Sequence, residues 1–252
     1  KAGGNKNTFN LDDVGYASAA AAGLDGGSIN PTGASVGTKQ GFSILKYQGN
    51  GTAGANISHG LLEAPKLMIH KSLDQSRDWY TITTAVDGSA DYLYLNTTAV
   101  ANNSAVTAPT SSLMYFTSSV ESNNNNENYV VYMWHDVPGL QKFGSYVGNG
   151  DADGPFIELG FRPALLWIKR SSDGSNGWHI ADVKRSPENM ANEYLYADTS
   201  GAEETNGSID ILSNGFKLRA NAQTTNNSAT YIYCAWAEAP TVNLYGGGAN
   251  AR

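Results

Sequence analysis

The chain has 252 residues, a formal net charge of −7 and 15% charged residues. That acidity, with no basic run longer than Lys169-Arg170 or Lys184-Arg185, disfavours nucleic acid and anionic membrane surfaces as partners. The single cysteine, Cys234, excludes an internal disulfide and a cysteine-based metal site, and no run of about 18 apolar residues offers a membrane helix. The charge that is missing is replaced by Gly, Asn, Ser, Thr and Ala, a mixture that disfavours helix and suits short strands with many turns. The 14 Tyr, 7 Phe and 5 Trp supply the bulky apolar groups. The expected fold class is all-β.

In chain order, residues 1–40 are rich in Ala, Gly and Thr and read as an extended linker or the end of a preceding module; Ala17 to Gly23 has the composition for a short helix. Phe42 to Tyr47 is predicted as a strand, and Gly49-Asn50-Gly51 as a turn whose glycines tolerate positive φ. Leu67 to Lys71 is a continuous apolar run of the kind a buried strand shows. Tyr80 to Thr84, Tyr92 to Leu95, Leu113 to Thr117 and Tyr129 to Trp134 complete the strands. The Asn-rich tract Asn123 to Asn126 is predicted as an exposed loop tip, and so is Asn226-Asn227.

The same pattern then returns. Lys46 to Gly51 reappears as Ser145 to Gly150, Pro65 to Lys71 as Pro163 to Lys169, Trp79 as Trp178, and Tyr92-Leu93-Tyr94 as Tyr194-Leu195-Tyr196. Tyr129 to Trp134 matches Tyr231 to Trp236, and Asp136-Val137-Pro138 matches Glu238-Ala239-Pro240. A nearly constant offset over roughly a hundred residues marks one module repeated with small loop insertions. The predicted organisation is two tandem β-sandwich modules of jelly-roll type, residues 41–138 and 139–240, preceded by an extended N-terminal segment (1–40) and followed by a Gly-rich tail (241–252). Cys234, inside the apolar run Tyr231 to Trp236, reads as a buried thiol.

Few constellations carry chemistry. The acidic positions Asp91/Glu193 and Asp136/Glu238 are repeat equivalents at strand ends, and Glu203-Glu204 sits in a polar loop, so neither resembles the carboxylate pair of a glycosidase. The four histidines form no ligand pair, and no nucleophile elbow or phosphate loop is present. The expected protein is not an enzyme. Asn149, Asp151 and Asp153 alternate oxygen ligands in a Gly-rich turn that suits a hard cation such as Ca²⁺; a plain Asp-capped turn is the stronger reading, because no bidentate Glu closes the loop. Trp79-Tyr80 and Trp178-His179 follow polar loops and are candidates for stacking on sugar, with core packing the stronger reading.

Lys142 to Phe156, Gly160 to Ala164, Ser213 to Leu218 and Ala249 to Arg252 resemble a module of tailed bacteriophages, notably marine ones, which recurs in tandem in tail fibres and other virion structural proteins. The resemblance spans nearly the whole chain and is most specific in the second module; the first departs at Gly54 to Leu62. Lys1 to Gly4 is similar to the end of a preceding module, which implies that the chain is the C-terminal part of a longer fibre. The resemblance implies a virion-surface protein, a tail fibre or receptor-binding part that contacts host-surface glycan, with other virion proteins and further copies of itself (a trimer, by analogy with fibres) as partners. A capsid-surface decoration or spacer without a ligand, and a polysaccharide-degrading fibre tip, are the alternatives. Receptor contact falls to loops on a rigid scaffold. The expected loops are Ser171 to Gly177, Glu203 to Ser208 and Asn221 to Ser228, with Trp178 stacking on the ligand and Asn221, Thr224, Asn226 and Asn227 bonding to its hydroxyls.

Overall fold

The computed structural model describes residues 8–240; the tail from 241 lies outside them. The chain is all-β and its described residues divide into two compact units, one holding 8–94 with 102–135, the other 95–101 with 136–240.

In the first unit the strands are β1 (Phe9–Leu11), β2 (Val14–Tyr16), β3 (Gly33–Gly37), β4 (Phe42–Gln48), β5 (Asn56–Ser58) and β6 (Leu67–Ser72). They continue with β7 (Tyr80–Thr83), β8 (Asp91–Tyr94), β9 (Asn102–Asn103), β10 (Leu113–Tyr115), a single helical turn α1 (Val120–Asn123) and β11 (Asn128–Trp134). One sheet has the order β2-β1-β3-β4-β11-β6-β7-β8-β9 and the other pairs β10 with β5. Alternation decides which side faces in: along β11, Tyr129, Val131 and Met133 are fully buried while Val130, Tyr132 and Trp134 are half-buried. These inward residues meet Ile57 of β5 and Met114 of β10 in one core, so the two sheets form a sandwich.

In the second unit the strands are β12 (Gln141–Val147), β13 (Phe156–Glu158), β14 (Pro163–Arg170), β15 (His179–Asp182), β16 (Tyr194–Tyr196), β17 (Ile209–Leu212), β18 (Gly215–Leu218) and β19 (Thr230–Ala237). The sheets are β12-β19-β14-β15-β16 and β13-β18-β17. The first repeats the order β4-β11-β6-β7-β8 strand for strand. The registers agree as well, with Tyr47 opposite Tyr129 and Tyr146 opposite Tyr231. Leu166, Ile168, Tyr231 and Tyr233 from one sheet meet Ile157, Ile209 and Phe216 from the other in the second core. Cys234 is a buried free thiol, its pKa pushed up by burial.

The N-terminal expectation is corrected. Residues 9–37 are not an extended linker: β3 pairs antiparallel with β4, and β1 runs parallel to β3. Phe9, Leu24, Ile29, Ala34 and Val36 join the first core, and the alternation Ala34-Ser35-Val36 is weak in sequence because its apolar members are small. Ala17 to Gly23 forms tight turns such as Gly23 N–H to Ala20 O (3.0 Å), not a helix.

The Asn-rich tracts are also not simply exposed tips. Asn123 is wholly buried: its Oδ1 accepts from Asn50 N–H (2.9 Å), and its Nδ2 donates to Thr52 O (3.0 Å) and Thr117 O (3.1 Å). Asn226 does the same in the second unit, accepting from Asn149 N–H (3.0 Å) and donating to Asp151 O (2.7 Å) and Ala220 O (3.0 Å). The turn glycines are required here. A Cβ on Gly49 would lie 2.3 Å from Asn124 O and one on Gly148 2.1 Å from Asn227 O, while Gly51 and Gly150 hold φ of 68° and 69°. Two tyrosines complete each knot. Tyr47 and Tyr129 donate to Ser122 O and Val120 O (both 2.6 Å), as Tyr146 and Tyr231 donate to Thr225 O (2.6 Å) and Gln223 O (2.8 Å).

Candidate functional site

In the second unit the three polar loops converge on one cleft of about 450 Å³. Asn176 comes from the first, Glu204 and Asn206 to Ser208 from the second, and Asn221 to Thr225 from the third; His179 of β15 and Tyr194 and Tyr196 of β16 line it from the sheet. Strand geometry puts these rings together. His179 is paired with Tyr196 in the β15–β16 register, and Tyr194 and Tyr196, two apart, share a face. His179 stacks on Tyr194 at 4.1 Å and 23°, and Tyr196 meets Tyr194 edge-on at 5.4 Å.

The polar groups fall into two classes. Some are fixed by neighbours: the Tyr194 hydroxyl lies 2.6 Å from Glu204 Oε2 and 2.5 Å from Asn206 Oδ1, so its one proton is shared between two acceptors. Burial, and then the Glu204 carboxylate, hold that phenol well above its usual pKa. Others have no partner. His179 is 2% exposed, and neither ring nitrogen has a hydrogen-bond partner. Burial lowers its pKa to about 3, so the ring is neutral and carries one donor and one acceptor at physiological pH. At the equivalent place in the first unit stands Tyr80, packed on Tyr92 and Tyr94, and its hydroxyl is satisfied by Ser104.

The loops are held from beneath. Lys169, fully buried, donates to Asn176 O (2.7 Å), Arg170 O (2.9 Å) and Thr98 O (3.0 Å), which fixes both ends of the 171–176 turn and the 95–101 segment. Burial lowers its pKa to about 8. Within the same loop Arg170 pairs with Asp173 at 2.8 Å. The 203–208 loop is tied by mutual backbone bonds between Tyr194 and Glu204 (3.0 Å each) and by Arg219 N–H to Ser208 O (2.8 Å).

The residues singled out from sequence divide. Asn221 and Thr224 line the cleft. Asn226 does not face a ligand, because all its polar atoms serve the backbone knot; Asn227 donates its N–H to the Tyr231 hydroxyl (2.8 Å) and accepts from Ser228 N–H (2.6 Å). Trp178 is 0% exposed and packed edge-on against Trp167, so it cannot stack on a sugar. The cation reading also fails on geometry. Asn149 Oδ1 accepts from Asp151 N–H (3.0 Å), Asp151 Oδ1 from Asp153 N–H (2.9 Å), and Asp153 pairs with Lys217 (2.8 Å). These oxygens cap a turn instead of converging, and among the described residues no three His, Cys, Asp or Glu side chains are grouped to hold a metal. Sequence reasoning missed Tyr194 and Tyr196 as site residues, although their spacing of two on a repeated strand places them on one face.

A family model, a domain of unknown function (DUF7483), matches residues 5–240. No curated protein and no solved structure matches the chain.

Proposed function

We propose that this chain, which belongs to the DUF7483 family, is a structural component of the surface of a tailed phage virion, a tail fibre or receptor-binding part, and that its second unit holds host-surface glycan without cleaving it. The observation that carries the reading is the convergence of three Asn-, Ser- and Thr-bearing loops on one cleft with an aromatic wall. Short amides and hydroxyls match the donors and acceptors of sugar hydroxyls, and an aromatic ring such as Tyr196 supplies an apolar face for a pyranose. The cleft lining has one carboxylate, Glu204, where the two-carboxylate route of glycoside hydrolysis needs an acid and a partner on either side of the bond. The resemblance of the second module to phage fibre modules supports the virion setting, and by the same analogy the chain works as a homotrimer among other virion proteins.

The test is adsorption. Purified chain should bind host cells and compete with phage attachment, and a variant with Asn206, Asn221 and Thr224 all replaced by Ala should lose competition by at least about tenfold at an unchanged melting temperature. An intact chain that binds no host surface would assign the protein to spacer or capsid decoration instead. Light scattering should give three times the 26.7 kDa chain mass; a monomer at high micromolar concentration removes the trimer.

A further inference from the structure

We infer that the cleft of the second unit takes uncharged sugars, neutral hexoses or N-acetylhexosamines, and rejects acidic ones, with His179 as a floor contact and Glu204 as the group that excludes anions. The inference rests on the glycan reading and adds the ligand's chemical class.

Three observations carry it. First, the lining contains no Lys or Arg and one exposed carboxylate. A uronate, sialate or phosphate brought into this space would meet Glu204 and find no cation, and a like-charge contact without a compensating cation is unfavourable. The nearby basic groups are committed elsewhere: Arg219 pairs with Asp210 at 3.3 Å, and the Lys169 ammonium is enclosed by three carbonyls. Second, His179 is almost wholly buried yet both its nitrogens lack partners, which is costly unless a bound group satisfies them. A neutral imidazole offers one donor and one acceptor, the complement of a hydroxyl, which is itself both. Third, the residue at the equivalent place in the first unit is Tyr80, whose hydroxyl is already bonded to Ser104. At this place the second unit therefore differs in having a polar floor group without a partner.

Glu204 has a definite position for this work. Its Oε2 is engaged by the Tyr194 hydroxyl at 2.6 Å, which leaves Oε1 as an acceptor for ligand hydroxyls. With 2% of its surface exposed, His179 meets a substituent of the ligand, while Tyr196, Asn221 and Thr224 meet its body.

The experiment is a binding titration of the full chain against size-matched oligosaccharides: glucose and N-acetylglucosamine oligomers as neutral probes, galacturonate oligomers and sialyllactose as acidic ones. The neutral probes should bind at least about tenfold more tightly. Glu204→Gln keeps the Tyr194 hydrogen bond and should raise galacturonate affinity about tenfold while changing neutral affinity little. His179→Phe keeps the stack on Tyr194 and should weaken the neutral probes about tenfold at an unchanged melting temperature. If His179→Phe fails to fold, the Glu204→Gln comparison alone decides. Acidic probes binding as tightly as neutral ones, or a Glu204→Gln variant with unaltered selectivity, would overturn the inference while leaving glycan binding in place. Absence of binding by every probe, together with absence of host-cell adsorption, would remove both.

Discussion

Asn226→Ala tests whether the Asn-rich loop tip is scaffold or binding surface. The side chain is wholly buried and makes three hydrogen bonds, one accepted from Asn149 N–H at 3.0 Å and two donated, to Asp151 O at 2.7 Å and Ala220 O at 3.0 Å. Each buried bond is worth about 1 kcal/mol net, and truncation leaves three backbone groups without partners in a space that a methyl does not fill. The loss should be about 3 kcal/mol, which for a domain of this size lowers the melting temperature by roughly 10 °C. Asn123→Ala, which removes the matching three bonds in the first unit, should cost about as much. Calorimetry of the two single variants and the double variant reads this directly, with glycan binding measured in parallel well below the transition. A melting temperature within about 2 °C of the parent for Asn226→Ala, with binding abolished, would refute the reasoning and return the amide to the ligand.

Other outcomes follow from the same geometry. In the first unit the Arg77 guanidinium, joined by Ser72 and Asn124, holds the buried Glu127 carboxylate down at about 2, below its ordinary 4.5. The folded state thus binds that proton less readily than the unfolded chain. The stabilisation is complete above pH 4.5 and is lost as pH falls toward 2. Glu127→Gln should flatten that part of an acid-unfolding profile; an unchanged profile would show that other carboxylates set it. Gly148→Ala places a methyl 2.1 Å from the backbone oxygen of Asn227 and should destabilise by about 2–3 kcal/mol in thermal unfolding. Trp178→Phe should lower stability by about 1–3 kcal/mol yet leave glycan affinity within about twofold, since the indole is core and not platform. Adding EDTA or Ca²⁺ should leave the melting temperature unchanged to within about 1 °C, because Asn149, Asp151 and Asp153 cap a turn.

The β class and most strand positions were legible because they rest on local pattern. β11 was predicted as Tyr129 to Trp134 and runs Asn128–Trp134, and β6 was predicted to end one residue early. β1 to β3 were not legible, since Ala34 and Val36 alternate among glycines and serines and their burial depends on β4, which the segment joins only in three dimensions. The cleft was half legible. Polar composition pointed to its three loops, and Asn221 and Thr224 line it. Composition cannot tell an amide that faces solvent from one that saturates a backbone, which is why Asn226 was assigned to the ligand. Trp178 misled for a related reason: a polar loop before it suggested exposure, but β15 turns the indole inward against Trp167.

The recurrence of the knot explains how a chain so poor in charge and helix can hold its loops in definite conformations. Loops rich in Gly, Asn and Ser have many conformations, and ordering them on binding would cancel much of what a few sugar hydrogen bonds contribute. Here the ordering is done in the folded state. Asn226, Tyr146 and Tyr231 hold the backbone of the 221–228 loop, and Lys169 holds the 171–176 turn, all with side chains that no ligand needs. The first unit carries the same clamps in Asn123, Tyr47 and Tyr129. One difference lies beneath the cleft, where Tyr80 has its hydroxyl bonded to Ser104 and His179 has neither nitrogen partnered. Scaffold chemistry is therefore common to both units, and on the glycan reading proposed above the groups for recognition belong to the second.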